Sequence, residues 1–188
     1  MSNPKRDRRY HWNDDAHSYG MISKFLHWIV FVGVLFCYGL AWSWSMPGRG
    51  WLQGLMVDAH RFLGISVLLI ALLRILRRLH GRPSTYETDP KSMRVMAGSI
   101  QIIMLFILVF ISVLGWGYTN AGGIDINFLG LDFPAILPKD QYLEELTVSL
   151  HELFANLFLI ILGIHFIGAG RHWLQSRGFK NLDSHDGS

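Results

Sequence analysis

The stretch HELFANLFLIILGIH, from His151 to His165, decides the fold of this chain. Between its two histidines, Glu152 and Asn156 are the only polar residues. The apolar run extends over about 148–173, which exceeds the about 20 residues that a helix needs to cross a bilayer. The segment therefore predicts a transmembrane helix with a histidine near each end of its span.

These two histidines lie on one face of the predicted helix. His165 follows His151 by 14 residues. At about 100° per residue this is about 40° short of four full rotations, with roughly 21 Å between the two positions along the axis. One face of the helix thus presents two imidazoles at different depths in the membrane.

Three further stretches are long and apolar enough to be spans, and they run over about 25–44, 57–76 and 95–118. The stretch 57–76 carries Asp58, Arg61 and Arg74, whereas the other two are uncharged. The chain is 51% hydrophobic and 16% charged, against about 25% charged residues in a soluble domain. That leaves too little polar surface to cover four buried helices, so we predict an all-α membrane protein, a four-transmembrane-helix bundle.

The distribution of Lys and Arg predicts the orientation, because cytoplasmic loops are enriched in these residues. Of 17 basic residues, 14 lie at the two ends of the chain and in the link between the second and third spans. We predict a cytoplasmic tail at 1–23, a membrane domain at 24–173, a cytoplasmic tail at 174–188 and no cleavable signal peptide. In a bacterium the membrane is the inner one, and the basic residues indicate topology rather than a nucleic-acid partner.

The long loop over 119–147 then faces the periplasm. It contains five acidic residues against Lys139. Its Gly and Pro residues favour a turn-rich segment rather than a pair of strands.

Four of the nine histidines lie in predicted spans: His27, His60, His151 and His165. With antiparallel spans, His27 and His165 fall near the cytoplasmic side, and His60 and His151 near the periplasmic side. A b-type haem takes two axial imidazoles, so the pattern predicts two such haems, each iron bound by one of these pairs. Helix-packing hydrogen bonds remain an alternative for each histidine, as do zinc and copper, although two-histidine sites without carboxylate or thiolate ligands suit haem better.

Two arginines accompany the histidine pairs. Arg74 follows His60 by 14 residues, which places it at the depth of the cytoplasmic-side pair, where it can pair with a haem propionate or a quinone headgroup. Arg61 is a similar candidate for a propionate of the outer haem. For Arg74, the alternative is a side chain that extends to the cytoplasmic surface.

The chain resembles the prokaryotic, four-helix, dihaem cytochrome b561 family over about residues 19–180. The matching segments are HW at 27–28, DAHRFLGIS around His60, LLRILRRL at 72–79 and HELFANLFLIILGIH at 151–165. The resemblance implies the same four axial histidines, electron exchange with ubiquinone or another quinone, and a place for His172 near the quinone site. An ordinary interfacial histidine is the alternative for His172. Gln101 and Ser112 stand where several members carry His and Pro.

One branch of the family oxidises superoxide at the periplasmic face. The resemblance therefore implies a dihaem b-type cytochrome that moves electrons across the inner membrane between a periplasmic-side donor, with superoxide as a candidate, and the quinone pool. Its enzymatic form would be a superoxide:quinone oxidoreductase. An acidic outer loop repels an anion and favours an alternative, a haem-bearing membrane anchor for a periplasmic redox partner. A haem-free transporter or packing protein is a third hypothesis.

Overall fold

The computed structural model describes Trp12 and residues 19–44, 50–80 and 91–182. Four helices dominate: α1 (Met21–Trp44), α2 (Trp51–His80), α3 (Lys91–Ala121) and α4 (Gln141–Leu182). Two short strands, β1 (Ile126–Phe128) and β2 (Leu131–Phe133), lie between α3 and α4. Most of the predicted tail 1–23 and residues 183–188 lie outside the described residues, and α4 continues into the predicted C-terminal tail.

Three of these helices are long and apolar enough to cross a membrane. The qualifying segments are Met21–Ser43, Gly98–Ala121 and Gln141–Arg171. The predicted span 57–76 lies within α2, but this helix does not reach the same hydropathy because it carries charged residues such as Asp58, Arg61 and Arg74.

The helices pack in chain order, α1 on α2, α2 on α3 and α3 on α4. Their shared core contains Val30, Val34, Val67, Ala71, Leu105, Leu108, Ile111, Phe158 and Leu162. At Gly33 a Cβ atom would lie 2.9 Å from Val67 Cγ2, so α1 approaches α2 closely there. Many large apolar side chains face outward, Phe25, Leu73 and Ile160 among them, as in a bundle surrounded by lipid.

The prediction that 119–147 holds no strand pair is wrong. β1 and β2 form an antiparallel hairpin in which Phe128 is paired with Leu131. The two loop residues both have positive φ, 54° at Leu129 and 82° at Gly130, as in a type I′ turn. Gly130 N donates to Asn127 Oδ1 at 3.0 Å. Leucine is uncommon in this conformation, so the turn has no obvious sequence signal.

The hairpin is fastened to the bundle by Asn120 at the end of α3. Its side chain is buried, donates to Ile124 O at 3.2 Å and accepts from Ile136 N at 3.1 Å. Asp140 then caps α4, because its Oδ1 accepts from Leu143 N at 2.9 Å. This cap explains why α4 begins at Gln141, seven residues before the predicted span.

Candidate functional site

The predicted outer pair is close together in the structure. The imidazoles of His60 on α2 and His151 on α4 have centroids 6.2 Å apart and planes 72° apart. Nδ1 of His60 lies 3.0 Å from Cys37 O, and Nδ1 of His151 lies 2.9 Å from Ile111 O. A carbonyl oxygen only accepts, so each Nδ1 donates and the lone pair of each neutral ring is on Nε2. Histidines that bind metals are commonly oriented in this way.

The spacing of the two rings suits a shared metal atom. A metal–nitrogen bond is about 2 Å long, so two imidazoles on opposite sides of one metal have centroids roughly 6 Å apart. The observed 6.2 Å agrees with this distance. The spacing of His60 and His151 is thus compatible with one metal atom bound by both rings, such as the iron of a haem.

Two consecutive residues of α3 lie at or near this pair. At Gly115 a Cβ atom would lie 3.0 Å from His151 Cε1 and 3.1 Å from its Nδ1. The next residue, Trp116, has a buried Nε1 with no hydrogen-bond partner among the described residues. A buried indole N–H normally has a partner, so Trp116 offers a buried donor one residue along α3 from Gly115.

The predicted inner pair shares one cavity. His27 on α1 and His165 on α4 both line it, together with Arg74, Gln101 and apolar side chains that include Trp28, Phe31 and Phe166. Its volume is about 100 Å³. The ring of Phe31 meets Phe166 at 5.4 Å, which brings α1 and α4 together at this depth.

The hydrogen bonding of His27 differs from that of the outer pair. Arg74 Nη2 lies 3.2 Å from His27 Nδ1. A guanidinium only donates, so Nδ1 accepts and the proton of the neutral ring is on Nε2. Arg74 therefore lies at the depth predicted for it, but its partner in the structure is the histidine itself.

Tyr38 lies between the two pairs. Its hydroxyl donates to Ala155 O at 2.5 Å and connects α1 to α4. Ala155 is one helical turn inward from His151.

The other residues singled out in the sequence are hydrogen-bonded to protein groups outside the two histidine pairs, or lie outside the described side chains. Arg61 donates to Asp58 Oδ1 at 3.0 Å, and the Asp58 side chain is 73% exposed. Gln101 Oε1 accepts from Arg78 Nη1 at 3.1 Å, and Ser112 Oγ donates to Leu108 O at 3.0 Å within α3. His172 belongs to α4, but its side chain lies outside the described part of the structure.

The described residues give no support to a zinc or copper site with three or more protein ligands. Within residues 19–44, 50–80 and 91–182, no three His, Cys, Asp or Glu side chains are placed to bind one ion. A structural or catalytic zinc takes three or four such ligands.

A separate cavity of about 460 Å³ lies where the end of α3 meets the start of α4, and it is lined by Lys139, Glu144, Glu145 and other residues. The Lys139 side chain packs over Gly123, where a Cβ atom would lie 2.9 Å from its Cδ. Two carboxylates share this cavity with one ammonium, so it is an acidic surface.

Comparison with known proteins identifies a family. The sequence profile of the family described as prokaryotic cytochrome b561 matches residues 18–180. Cytochrome b561 homolog 1 of Escherichia coli (strain K12) is 25% identical over 160 residues, which cover 80% of this chain and 88% of that protein. A Yersinia pestis protein named probable superoxide oxidase CybB is 25% identical over 161 residues, with 82% and 88% covered.

Proposed function

Because the chain belongs to the prokaryotic cytochrome b561 family, we propose that it is a dihaem cytochrome that carries electrons across the inner membrane to or from the quinone pool. Membership itself gives a membrane protein with b-type haem and an electron-transfer role. The observation that carries the proposal is the His60–His151 pair, because its 6.2 Å spacing and its carbonyl-bonded Nδ1 atoms would suit two residues that hold one haem iron.

The second haem of this proposal lies at the inner pair, His27 and His165. While Arg74 donates to Nδ1 of His27, the proton of the neutral ring is on Nε2, and Nε2 has no lone pair for a metal. Metal binding through Nε2 therefore requires that the hydrogen bond from Arg74 be broken. Pockets for small molecules are typically about 300–1,000 Å³, and this cavity is about 100 Å³. For a haem to be held here, the side chains that line the cavity would have to move apart, and Arg74 would be available to pair with a propionate or a quinone headgroup.

A bound haem supplies one-electron chemistry, and the chain holds it, orients it and insulates it. At the outer pair, the carbonyls of Cys37 and Ile111 fix the direction of each imidazole. The buried Nε1 of Trp116 is a donor for a haem carboxylate. Arg61 is a second candidate to donate to a carboxylate of the outer haem. That carboxylate would compete with Asp58, which accepts from Arg61 in the structure.

We further propose that α2 is a fourth span and that both termini are cytoplasmic. The charges of α2 are paired or hydrogen-bonded within the protein: Arg61 on Asp58, Arg74 on His27, Arg77 on Ser23 and Arg78 on Gln101. Such pairing reduces the cost of charge in a membrane. The helix also packs between α1 and α3, two helices that are long and apolar enough to span.

The quinone, ubiquinone or another, belongs to the cytoplasmic side in this proposal. Arg74 and Gln101 line the inner cavity and supply hydrogen-bonding groups for a quinone carbonyl. His172 is a further candidate. The outer haem would receive electrons from a periplasmic-side donor, and the Yersinia relative's name makes superoxide the first donor to test.

A second candidate function is a haem-bearing anchor for a periplasmic redox protein. The acidic outer cavity with Glu144 and Glu145 favours it, because a basic partner is attracted to a surface that repels an anion. Co-purification from membranes in mild detergent would support this role, and full activity of the isolated chain would contradict it.

The deciding experiment combines pyridine-haemochrome quantitation with a redox titration of the purified protein. We expect two b-type haems per chain with separate midpoint potentials. One haem or none would contradict the dihaem proposal. Stopped-flow mixing with superoxide then tests the donor, with reduction near the diffusion limit expected for a superoxide:quinone oxidoreductase and slow reduction counting against it.

A further inference from the structure

The β1–β2 hairpin has one apolar face and one polar face. Residues paired across an antiparallel ladder lie on the same face, and successive residues of a strand alternate between faces. The apolar face therefore contains the four side chains of the first and last pairs: Ile126, Phe133, Phe128 and Leu131. Asn127 and Asp132 share the polar face, where Asn127 Nδ2 donates to Asp132 Oδ1 at 2.8 Å.

The apolar face packs on the sides of two helices. Phe128 stacks on Phe62 of α2 with ring centroids 4.8 Å apart and planes 22° apart. Phe133 contacts Trp116 of α3 with centroids 5.3 Å apart. Since α2 begins at Trp51 and α3 ends at Ala121, neither contact lies at the end of its helix. The hairpin is thus held alongside the bundle rather than beyond it.

These two contacts place the hairpin at the boundary of the membrane. Trp116 belongs to Gly98–Ala121, a segment apolar enough to cross a bilayer. It lies two residues inside the predicted span 95–118, and Phe62 lies five residues inside the predicted span 57–76. At 1.5 Å per residue these depths are about 3 Å and about 8 Å. Amphipathic helices at a membrane surface bury their apolar face to a similar depth, about 5–10 Å.

The turn of the hairpin carries two leucines that the described residues leave uncovered. Leu129 is 77% exposed and Leu131 is 68% exposed. Because Leu131 lies on the same face as Phe128, the apolar face continues past its contact with Phe62. Part of this face is therefore available to a partner that is itself apolar.

The helix surface next to this turn is apolar along the predicted span. Residues seven apart on a helix lie about 20° from alignment on one side. Leu55, Phe62, Leu69 and Leu76 follow this spacing on α2, and all four are exposed. Phe128 packs on one member of this row, so the exposed leucines of the turn are continuous with a surface that lipid would cover.

We propose that the hairpin is an interfacial anchor, in which Leu129 and Leu131 insert among lipid acyl chains and hold the α3–α4 connection against the membrane surface. Open strand edges are not tolerated within hydrocarbon. Only the leucine side chains therefore enter it, whereas the strands stay at the level of the headgroups and Asn127 and Asp132 face water.

The lipid is bound through apolar contact rather than through charge. Residues 124–133 contain two aspartates and no Lys, Arg or His. An anionic lipid surface attracts basic segments, so it offers this hairpin no electrostatic attraction. A bilayer of zwitterionic lipid is sufficient as the partner.

The test uses the full-length protein in phosphatidylcholine nanodiscs, with a nitroxide spin label at Leu129→Cys or, in a second variant, at Leu131→Cys. Both side chains are exposed, so the label displaces no packed group. Cys37→Ala removes the native thiol from every variant, and it keeps the Cys37 carbonyl oxygen that lies 3.0 Å from His60 Nδ1.

Two labelled controls accompany the turn variants. Asp132→Cys is the matched control on the polar face of the same hairpin, where the side chain is exposed. Phe106→Cys reports the lipid environment, because Phe106 is exposed on α3 inside Gly98–Ala121. Power saturation of the electron paramagnetic resonance signal measures how often each label collides with oxygen, which concentrates in hydrocarbon, and with water-soluble nickel ethylenediaminediacetate.

We expect the labels at Leu129 and Leu131 to be severalfold less accessible to the nickel complex than the label at Asp132, and more accessible to oxygen. Nickel accessibility equal to that at Asp132 would overturn the anchor. Low accessibility to both reagents would also overturn it, because protein, such as a second copy of the chain, would then cover the leucines.

The outcome is independent of haem. An oxygen-accessible label at Phe106 together with water-exposed labels at Leu129 and Leu131 would remove the anchor and leave the proposed membrane cytochrome intact. Failure of the dihaem proposal appears instead in the haem count of the wild-type protein.

Discussion

Gly115 and the imidazole of His151 are in direct contact across α3 and α4. A Cβ atom at position 115 would lie 3.0 Å from Cε1 of His151, closer than side chains normally pack. Since the same imidazole lies 6.2 Å from that of His60, the geometry of the outer pair depends on a residue that contributes no side chain.

Replacing this glycine should disturb the outer haem selectively. In Gly115→Ala the added methyl displaces the His151 ring, and overpacking of this kind costs about 1–3 kcal/mol. We expect outer-haem content to fall while inner-haem content is retained, as measured by pyridine haemochrome and the α-band. Gly163→Ala is the control, because no atom lies within 4 Å of a Cβ there. Equal haem content in the two variants would contradict the role of Gly115.

Substitution of the axial histidines should remove the haems in pairs. His60→Ala and His151→Ala are expected to lose the same α-band component, because their imidazoles face one another. His27→Ala and His165→Ala should both lose the other component, since these two residues line one cavity. Low-temperature absorption spectra of the reduced proteins measure this. Loss of the same component in His27→Ala and His151→Ala would show that the proposed pairing is wrong.

Arg74 should affect the inner haem alone. Its guanidinium lies 3.2 Å from His27, and a positive charge near a haem favours the reduced form. Arg74→Ala is therefore expected to lower the inner midpoint potential or the occupancy of that site. Arg77→Ala is the matched control, because Arg77 is one turn away and donates to Ser23 Oγ at 3.4 Å. Wild-type potential and occupancy in Arg74→Ala would contradict a role of Arg74 at the inner haem and would leave it only as one of the basic residues that set the membrane orientation.

The Tyr38 hydroxyl should contribute to stability more than to redox chemistry. Tyr38→Phe removes the hydrogen bond to Ala155 O, and hydrogen bonds between membrane helices average about 0.6 kcal/mol, with a maximum of about 1.7. Unfolding by sodium dodecyl sulfate should show a loss in this range, with both α-bands unchanged. Tyr142→Phe is the control because Tyr142 is 71% exposed. A loss of haem in Tyr38→Phe would instead show that the hydroxyl contributes to haem binding.

The helices and the relative depths of the histidines could be predicted because they depend only on local properties of the chain, namely its apolar content and the number of residues between two positions. The rise per residue of a helix and the direction of each span are enough to place His60 level with His151, and the structure has these two rings together. Apolar content alone likewise gives long helices at α1, α3 and α4.

Features that depend on contacts distant in sequence could not be predicted. The hairpin exists because Phe128 and Phe133 find rings on α2 and α3, and its Leu129–Gly130 turn has no strong sequence signal. The contact of Arg74 with His27 could not be predicted either. The depth of Arg74 in the bundle shows which histidines are near it, but not which ring nitrogen it contacts. The contact of Gly115 with His151 depends on how α4 packs against α3, which the sequence alone does not give.

The way the helices associate has a consequence for biogenesis. α1 packs on α2 and α3 packs on α4, whereas α1 meets α4 at few points, among them Tyr38 with Ala155 and Phe31 with Phe166. Each proposed ligand pair takes one histidine from α4 and the other from α1 or α2. The two helical hairpins are already joined by the packing of α2 on α3 and by the shared core. Bound haem would add a second connection between them through α4, so a cell starved of haem should accumulate a less stable chain.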